Sequence, residues 1–338
     1  MAKKVKVAVI GLGWAGREHS KGYKACPDAE LVAVCDMNTE LGNQVAGELG
    51  VPAVYANHKK MLKELDVDAV SVCLPNFLHA PIAIDALKAG KHVLCEKPPA
   101  LNEREAKKMA KAAADAKRTL MYALVRRFQT PTKLVKDYIN KGELGDIYYG
   151  RAVYHRRRGI PIGAKSWFVD KERSGGGSLI DIGVHALDCA WWLMGCPKPV
   201  SVSGSAYQKF AHIVPKDVKF NCDDSAFALV KFANDATLIL ECSWALNQRG
   251  GSIIQVAGTK GGAEFDPLVI FTERDGVQTD VTSTLKNEQP FAGETAHFIE
   301  CVQKGQKPLA TAEQGAQLMD MMCAVYKSSE SGKEVRIK

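Results

Sequence analysis

The stretch VKVAVIGLGWAG, residues 5–16, narrows the fold more than any other part of the chain. A short β-branched run ends on Gly-x-Gly-x-x-Gly and passes directly into residues that suit a helix, the setting in which this spacing acquires meaning. Gly11 would make the tight turn, Gly13 would let the backbone close on a pyrophosphate, and Gly16 would let helix and strand pack together. The anion would rest at the helix N-terminus, where free N–H groups and aligned peptide dipoles favour negative charge. Asp36 strengthens the pattern. It closes a second β-branched run, ELVAVCD (30–36), 20 residues beyond Gly16, where a carboxylate would accept from ribose hydroxyls. A carboxylate there repels a 2′-phosphate, and Met37-Asn38 offer no arginine to receive one, so NAD is expected rather than NADP.

Further β-branched runs follow at AVSVCLP (69–75), KHVLCEK (91–97) and TLMYAL (119–124), separated by helix-like stretches, one of them opened by Asn102 as a cap. Strands apolar on both faces and alternating with helices predict a parallel sheet covered on both sides. Beyond Phe128 the texture changes. A helix begins near Pro131, a strand follows at IYYGRAVYH, and between 200 and 281 apolar and polar residues alternate in several runs. That alternation predicts an open, mainly antiparallel sheet with one face on helices. The expected fold is α/β, with a Rossmann dinucleotide-binding domain over 1–124 and a second domain over 125–338, to which the family resemblance given below assigns substrate binding and oligomerisation.

Composition excludes several classes. With 45 basic and 38 acidic side chains the net charge is +7, and the short HRRRG run at 155–159 is no nucleic-acid footprint. No apolar run approaches membrane-spanning length, and Lys6 interrupts the N-terminal apolar stretch, so neither a membrane segment nor an export signal is expected. Ten cysteines without a regular framework suggest reduced thiols and a cytoplasmic setting.

The stretch SGGGSLIDIGVHALDCAWWLMG (174–195) carries Asp181, His185 and Asp188 at spacings that share one helix face, while the other faces are apolar. Two readings compete. Ser178 would cap the helix with Asp181 completing an acidic capping box, and Asp188 would partner a core His185. Otherwise the stripe belongs to an active site. No further ligand accompanies it, so no metal is expected.

Glu96-Lys97-Pro98 in HVLCEKPPAL resembles the signature of the Gfo/Idh/MocA oxidoreductases, VCLPNFLHAPIAIDALKAGKHVLCEKP resembles the family along its whole length, and DIGVHALD resembles its catalytic helix. The resemblance implies that Lys97, Asp181 and His185 are catalytic, in a cleft between domains where all three face the nicotinamide. It implies cofactor contacts from Gly11, Leu12, Gly13, Trp14, Ala15, Gly16, Asp36, Met37, Leu74, Pro75, Asn76, His79, Glu96 and Lys97. It further implies a substrate pocket drawn from Lys97, His155, Arg158, Trp167, Asp181, His185 and Asp188, and a Lys97–Pro98 bond that is often cis. VRRF (125–128) departs from the family pattern, because Val125 stands where a polar residue is usual.

The implied activity is NAD-dependent oxidation of a secondary hydroxyl of a sugar, glycoside or inositol. His185 would take the proton, since histidine titrates nearest neutrality, and Lys97 would stabilise the alkoxide. A lysine desolvated beside a cationic ring can also serve as the base, and the sequence leaves that choice open. An alternative is a glycoside-cleaving enzyme that oxidises, eliminates and reduces again with no net redox change. A non-catalytic nucleotide-binding regulator is disfavoured by the intact Lys97, Asp181 and His185. Pairing through the second sheet as a homodimer or homotetramer is also expected.

Overall fold

The computed structural model describes residues 3–163, 167–286 and 289–337. The chain divides into two compact units, Met1–Phe128 with Gln289–Ala316, and Gln129–Glu288 with Gln317–Lys338.

In the first unit β1 (Val5–Ile10), α1 (Trp14–Ala25), β2 (Ala29–Cys35), α2 (Thr39–Leu49), β3 (Ala53–Tyr55), α3 (His58–Glu64), β4 (Ala69–Val72), α4 (His79–Lys88), β5 (His92–Glu96), α5 (Glu103–Ala116) and β6 (Leu120–Ala123) follow in strict alternation. The strands form one parallel sheet in the order β3-β2-β1-β4-β5-β6. This is the doubly wound arrangement, and the order reverses between β1 and β4. β4 and β6 are buried at every residue, as strands covered on both faces must be. Asn102 caps α5 as expected, its Oδ1 accepting the Glu105 N–H at 3.0 Å. The three-residue β3, half-buried throughout, is too short to show a period in the sequence.

The second unit contains α6 (Thr130–Asn140), β7 (Ile147–His155), α7 (Lys171–Ser174), a π turn over Leu179–Gly183, α8 (Val184–Leu193), and β8 (Pro199–Tyr207), β9 (Ser225–Phe232), β10 (Thr237–Ser243), β11 (Gly251–Gly258), β12 (Gly262–Glu264), β13 (Val269–Arg274) and β14 (Val277–Thr282). After α9 (Pro290–Lys304) come α10 (Ala312–Ser331), in this unit from Gln317, and β15 (Val335–Arg336). Nine strands make one sheet, β14-β13-β12-β11-β7-β10-β9-β8-β15. It is antiparallel except where β7 meets β10. α8 lies on one face, close enough that a Cβ on Gly150 would meet Met194 Sδ at 2.6 Å and one on Gly183 would meet Cys242 Sγ at 2.9 Å.

One difference from the expected single boundary has a clear cause. α9 packs against α1 and belongs to the first unit. Gly22 permits this, since a Cβ there would fall 2.4 Å from Thr295 Oγ1. Arg127 fixes the return of the chain. Fully buried, it donates to the Leu309 carbonyl and to Gln314 Oε1 at 2.8 Å.

No disulfide joins the ten cysteines. Burial pushes the Cys35 thiol up to about 12 and raises Cys73 and Cys95 well above the ordinary range, so these act as small core hydrophobes.

Candidate active site

In the first unit the sequence-predicted residues gather along the carboxyl edge of the parallel sheet. Gly11–Gly16 follow β1, Asp36 follows β2, Leu74–Asn76 follow β4, and Glu96 and Lys97 lie at the end of β5. Open α/β sheets bind ligands at this edge, beside the point where strand order reverses.

The three glycines divide the work. Gly11 has φ +90°, and a Cβ there would lie 2.3 Å from the Cys73 carbonyl oxygen. A Cβ on Gly16 would sit 1.9 Å from the Gly11 oxygen, so α1 could not approach β1 with any side chain there. Gly13 is exposed with nothing within 4 Å of its Cβ position, which leaves its backbone open to a phosphate. Leu12 is buried and donates its N–H to Asp36 Oδ2 at 2.8 Å, while Asp36 Oδ1 accepts from Asn38 N at 2.9 Å. The carboxylate is thereby fixed beside the glycine loop. Trp14 and Met37 project into solvent, 71% and 88% exposed, and Ala15 is half-buried. This cradle fits a dinucleotide carrying free ribose hydroxyls.

His79 stands apart from the other expected cofactor contacts. It is fully buried, with Nδ1 at 2.8 Å from the Pro98 carbonyl and Nε2 at 2.7 Å from that of Leu74. Burial pushes its pKa down against the pull of the two carbonyls. The ring ties the turn after β4 to the segment holding Lys97, and it acts on a ligand only through them. The Lys97–Pro98 bond is cis, and Lys97 is half-buried.

Beneath this edge lies a polar cluster that the sequence did not announce. The buried His19 ring meets Ser71 Oγ at 3.1 Å through Nδ1 and Glu96 Oε1 at 3.2 Å through Nε2, with Glu294 of α9 at 3.8 Å. Burial raises the pKa of Glu96, but the His19 hydrogen bond and charge, with the Lys97 charge and N–H, bring it below the carboxylate norm.

In the second unit the capping reading of Ser178 fails. Ser178 makes no side-chain cap. Its hydroxyl donates to Asp223 Oδ2 at 2.8 Å, and the same oxygen accepts Leu179 N at 3.0 Å. Asp223 Oδ1 takes Gly177 N and the Tyr326 hydroxyl, each at 2.7 Å. A carboxylate from 46 residues away thus supplies the cap, and burial first, then the Asp223 charge, raises the Tyr326 pKa so that the phenol keeps its proton. The first turn is π rather than α, a rare form found frequently at functional sites.

Asp181, on that π turn, has its own partner. Trp244 Nε1 donates to Asp181 Oδ2 at 2.9 Å, and Arg156 Nη1 lies 4.0 Å from the same oxygen. Asp181 and His185 are half-buried, whereas Asp188 is 1% exposed.

Two of the residues expected in the pocket have partners other than Asp181. His155 points to the sheet face opposite α8, with Nε2 3.9 Å from Glu241 Oε2 and its ring beside Phe227. Strand parity explains this. Tyr154 and Arg156 share the helix side with Cys242, so His155 between them must turn away. Arg158 donates to Asn247 Oδ1 at 2.7 Å and covers the Phe210 ring, so the arginine beside Asp181 is Arg156. Trp167 stacks on Phe168, ring centroids 3.8 Å apart.

Comparison with known proteins settles the family. Residues 5–124 match an oxidoreductase family with an NAD-binding Rossmann fold, and residues 132–264 match the GFO/IDH/MocA C-terminal domain. The chain belongs to the GFO/IDH/MocA oxidoreductases. It is 35% identical to the D-glucoside 3-dehydrogenase of Escherichia coli (strain K12), covering 98% of this chain and 97% of that protein. It is 27% identical to the myo-inositol 2-dehydrogenase of Thermotoga maritima, over 99% of both. A levoglucosan dehydrogenase solved with NADH and levoglucosan superposes with a TM-score of 0.89 at 25% identity, covering 99% of this chain and 100% of that one. NAD is the cofactor that this family and the cradle around Asp36 both indicate.

Proposed function

We propose that the protein oxidises a secondary hydroxyl of a D-glucoside or a related cyclic polyol with NAD. The observation that carries this reading is the carboxyl edge of the parallel sheet, where the glycine loop lies at the reversal of strand order with Asp36 and Lys97 on either side of it. The similarity to a D-glucoside 3-dehydrogenase supports the substrate class. NAD, when bound, supplies the hydride acceptor. The chain supplies the proton chemistry. An imidazole nitrogen of His185 takes the hydroxyl proton, the Lys97 ammonium stabilises the developing alkoxide, and Asp181 accepts a hydrogen bond from a neighbouring hydroxyl.

The test is a screen with NAD against alkyl glucosides, inositols and uronic acids, following nicotinamide reduction and aglycone release together. Reduction with one class names the substrate, and His185→Ala and Lys97→Met should each lower kcat/KM by ~10²–10⁴-fold. Aglycone release without net reduction would replace this reading with oxidation, elimination and re-reduction.

The outer sheet face exposes Leu229, Phe271 and Tyr207, which supports pairing with a second copy through that face. Sedimentation at micromolar concentration would overturn the pairing if it found only monomer. Among the described residues no helix is long and apolar enough to cross a membrane. The ten cysteines without a disulfide support a cytoplasmic location.

A further inference from the structure

Trp244 follows β10 and is completely buried, yet its indole N–H is directed at a carboxylate rather than at a backbone carbonyl. Its backbone is held on both sides. Trp244 N donates to the Asp224 carbonyl at 2.7 Å, and the Trp244 carbonyl accepts Gly159 N at 2.7 Å. Asp224 cannot swing. Fully buried, it accepts Lys209 N and Phe210 N on Oδ2 at 2.6 Å each, and the Ser225 hydroxyl on Oδ1 at 3.0 Å. The preceding residue, Asp223, holds the start of the catalytic helix through Gly177 N, Ser178 Oγ and Leu179 N. Two adjacent residues therefore anchor both the helix that carries Asp181 and the indole that grips its carboxylate.

We propose that Trp244 is a positioning residue for the reaction, its indole N–H fixing Oδ2 of Asp181 and so setting the orientation in which that carboxylate meets the substrate. The inference rests on the reading that Asp181 contacts the sugar. An aspartate side chain has two rotatable bonds, and a half-buried one held by nothing rigid would sample several rotamers. A donor with fixed backbone and no room to move removes that freedom before substrate arrives, which is where positioning gains its rate effect.

The experiment replaces Trp244 in the full chain by phenylalanine and, separately, by 3-benzothienylalanine, whose ring is isosteric with indole but carries sulfur in place of N–H. Both enzymes should lose ~10–100-fold in kcat/KM for the sugar with KM for NAD unchanged. If the benzothienyl enzyme keeps the parent kcat/KM while only Trp244→Phe weakens it, packing is the role and the inference is overturned. Asp181→Asn serves as the reference. Should it lose activity while the benzothienyl enzyme remains fully active, the inference alone falls. Should it turn over sugar at the parent rate, Asp181 does not meet the substrate, and the reading of Asp181 falls with the inference.

Discussion

Along the carboxyl edge of the first sheet the glycine loop works through backbone, with its three glycines within six residues of sequence. The Leu12–Asp36 hydrogen bond spans 24 residues, and the glycine loop completes its own turn. The helix of the second unit that carries Asp181 and His185 is held differently. Asp223 reaches it across 46 residues, Trp244 across 63, and Tyr326 meets Asp223 across 103. A loop that binds through backbone must spell out glycines in order. A helix held by side chains needs only that the right groups arrive, from any distance. The first writes a motif, and the second does not.

The sharpest break of that contrast comes from adding single methyl groups within the glycine loop. Gly16→Ala places a Cβ 1.9 Å from a backbone oxygen that cannot yield, and should cost about 3 kcal/mol or more of stability and abolish NAD binding. Gly13→Ala meets nothing within 4 Å. It should melt within a degree of the parent by calorimetry, yet weaken NAD about tenfold or more by titration, because the methyl occupies the space a pyrophosphate needs. Equal melting temperatures for the two variants would mean that the loop is not built on backbone contact.

Asp223→Asn probes the other side of the comparison. The carboxylate accepts four hydrogen bonds, a backbone N–H and a hydroxyl on each oxygen, so an amide nitrogen must face a backbone donor wherever it is placed, with only the hydroxyl beside it able to turn and accept. The expected loss is about 3 kcal/mol in chemical denaturation, since buried donors left unmatched cost ~1–3 kcal/mol each. Turnover should fall with it, because Asp181 rides on the helix that loosens. A variant as stable as the parent would show that the helix start is held by something other than Asp223.

What the sequence disclosed follows the same division. The parallel sheet, the glycine loop, Asp36 and the Lys97 strand end were legible because each is a local pattern with a local cause. The stripe of Asp181 and His185 was legible as a spacing, but its meaning was not. Ser178 looked like a cap, and only the distant Asp223 shows that it donates instead. Arg158 was preferred to Arg156 on resemblance, and alternation could not choose between them, because β7 ends at His155 and both residues have the parity of Tyr154; only the tertiary contacts put Arg156 beside Asp181. The same parity turns His155 to the face away from α8. α9 could not be placed from its own residues, because what draws it to the first unit is a glycine 273 positions earlier, Gly22 under Thr295.

Glu96 offers the smallest and most discriminating effect, since it is a side-chain contact lying at the backbone-built edge. His19 and Lys97 hold its pKa below the ordinary 4.5 despite burial. A carboxyl depressed in the folded state contributes stability that is present above its unfolded pKa and lost as pH falls through the folded one. The parent should therefore exceed Glu96→Gln by about 1–2 kcal/mol near neutrality, the scale of one hydrogen bond to a charged group. That advantage should shrink below pH ~4.5 and vanish once the folded carboxyl is protonated. His19→Gln should remove most of the same acid-side slope, because His19 supplies both the hydrogen bond and part of the charge that depress it. If the slope persists without His19, Lys97 is the main source of the depression, and the buried cluster beneath the site is packing rather than electrostatics.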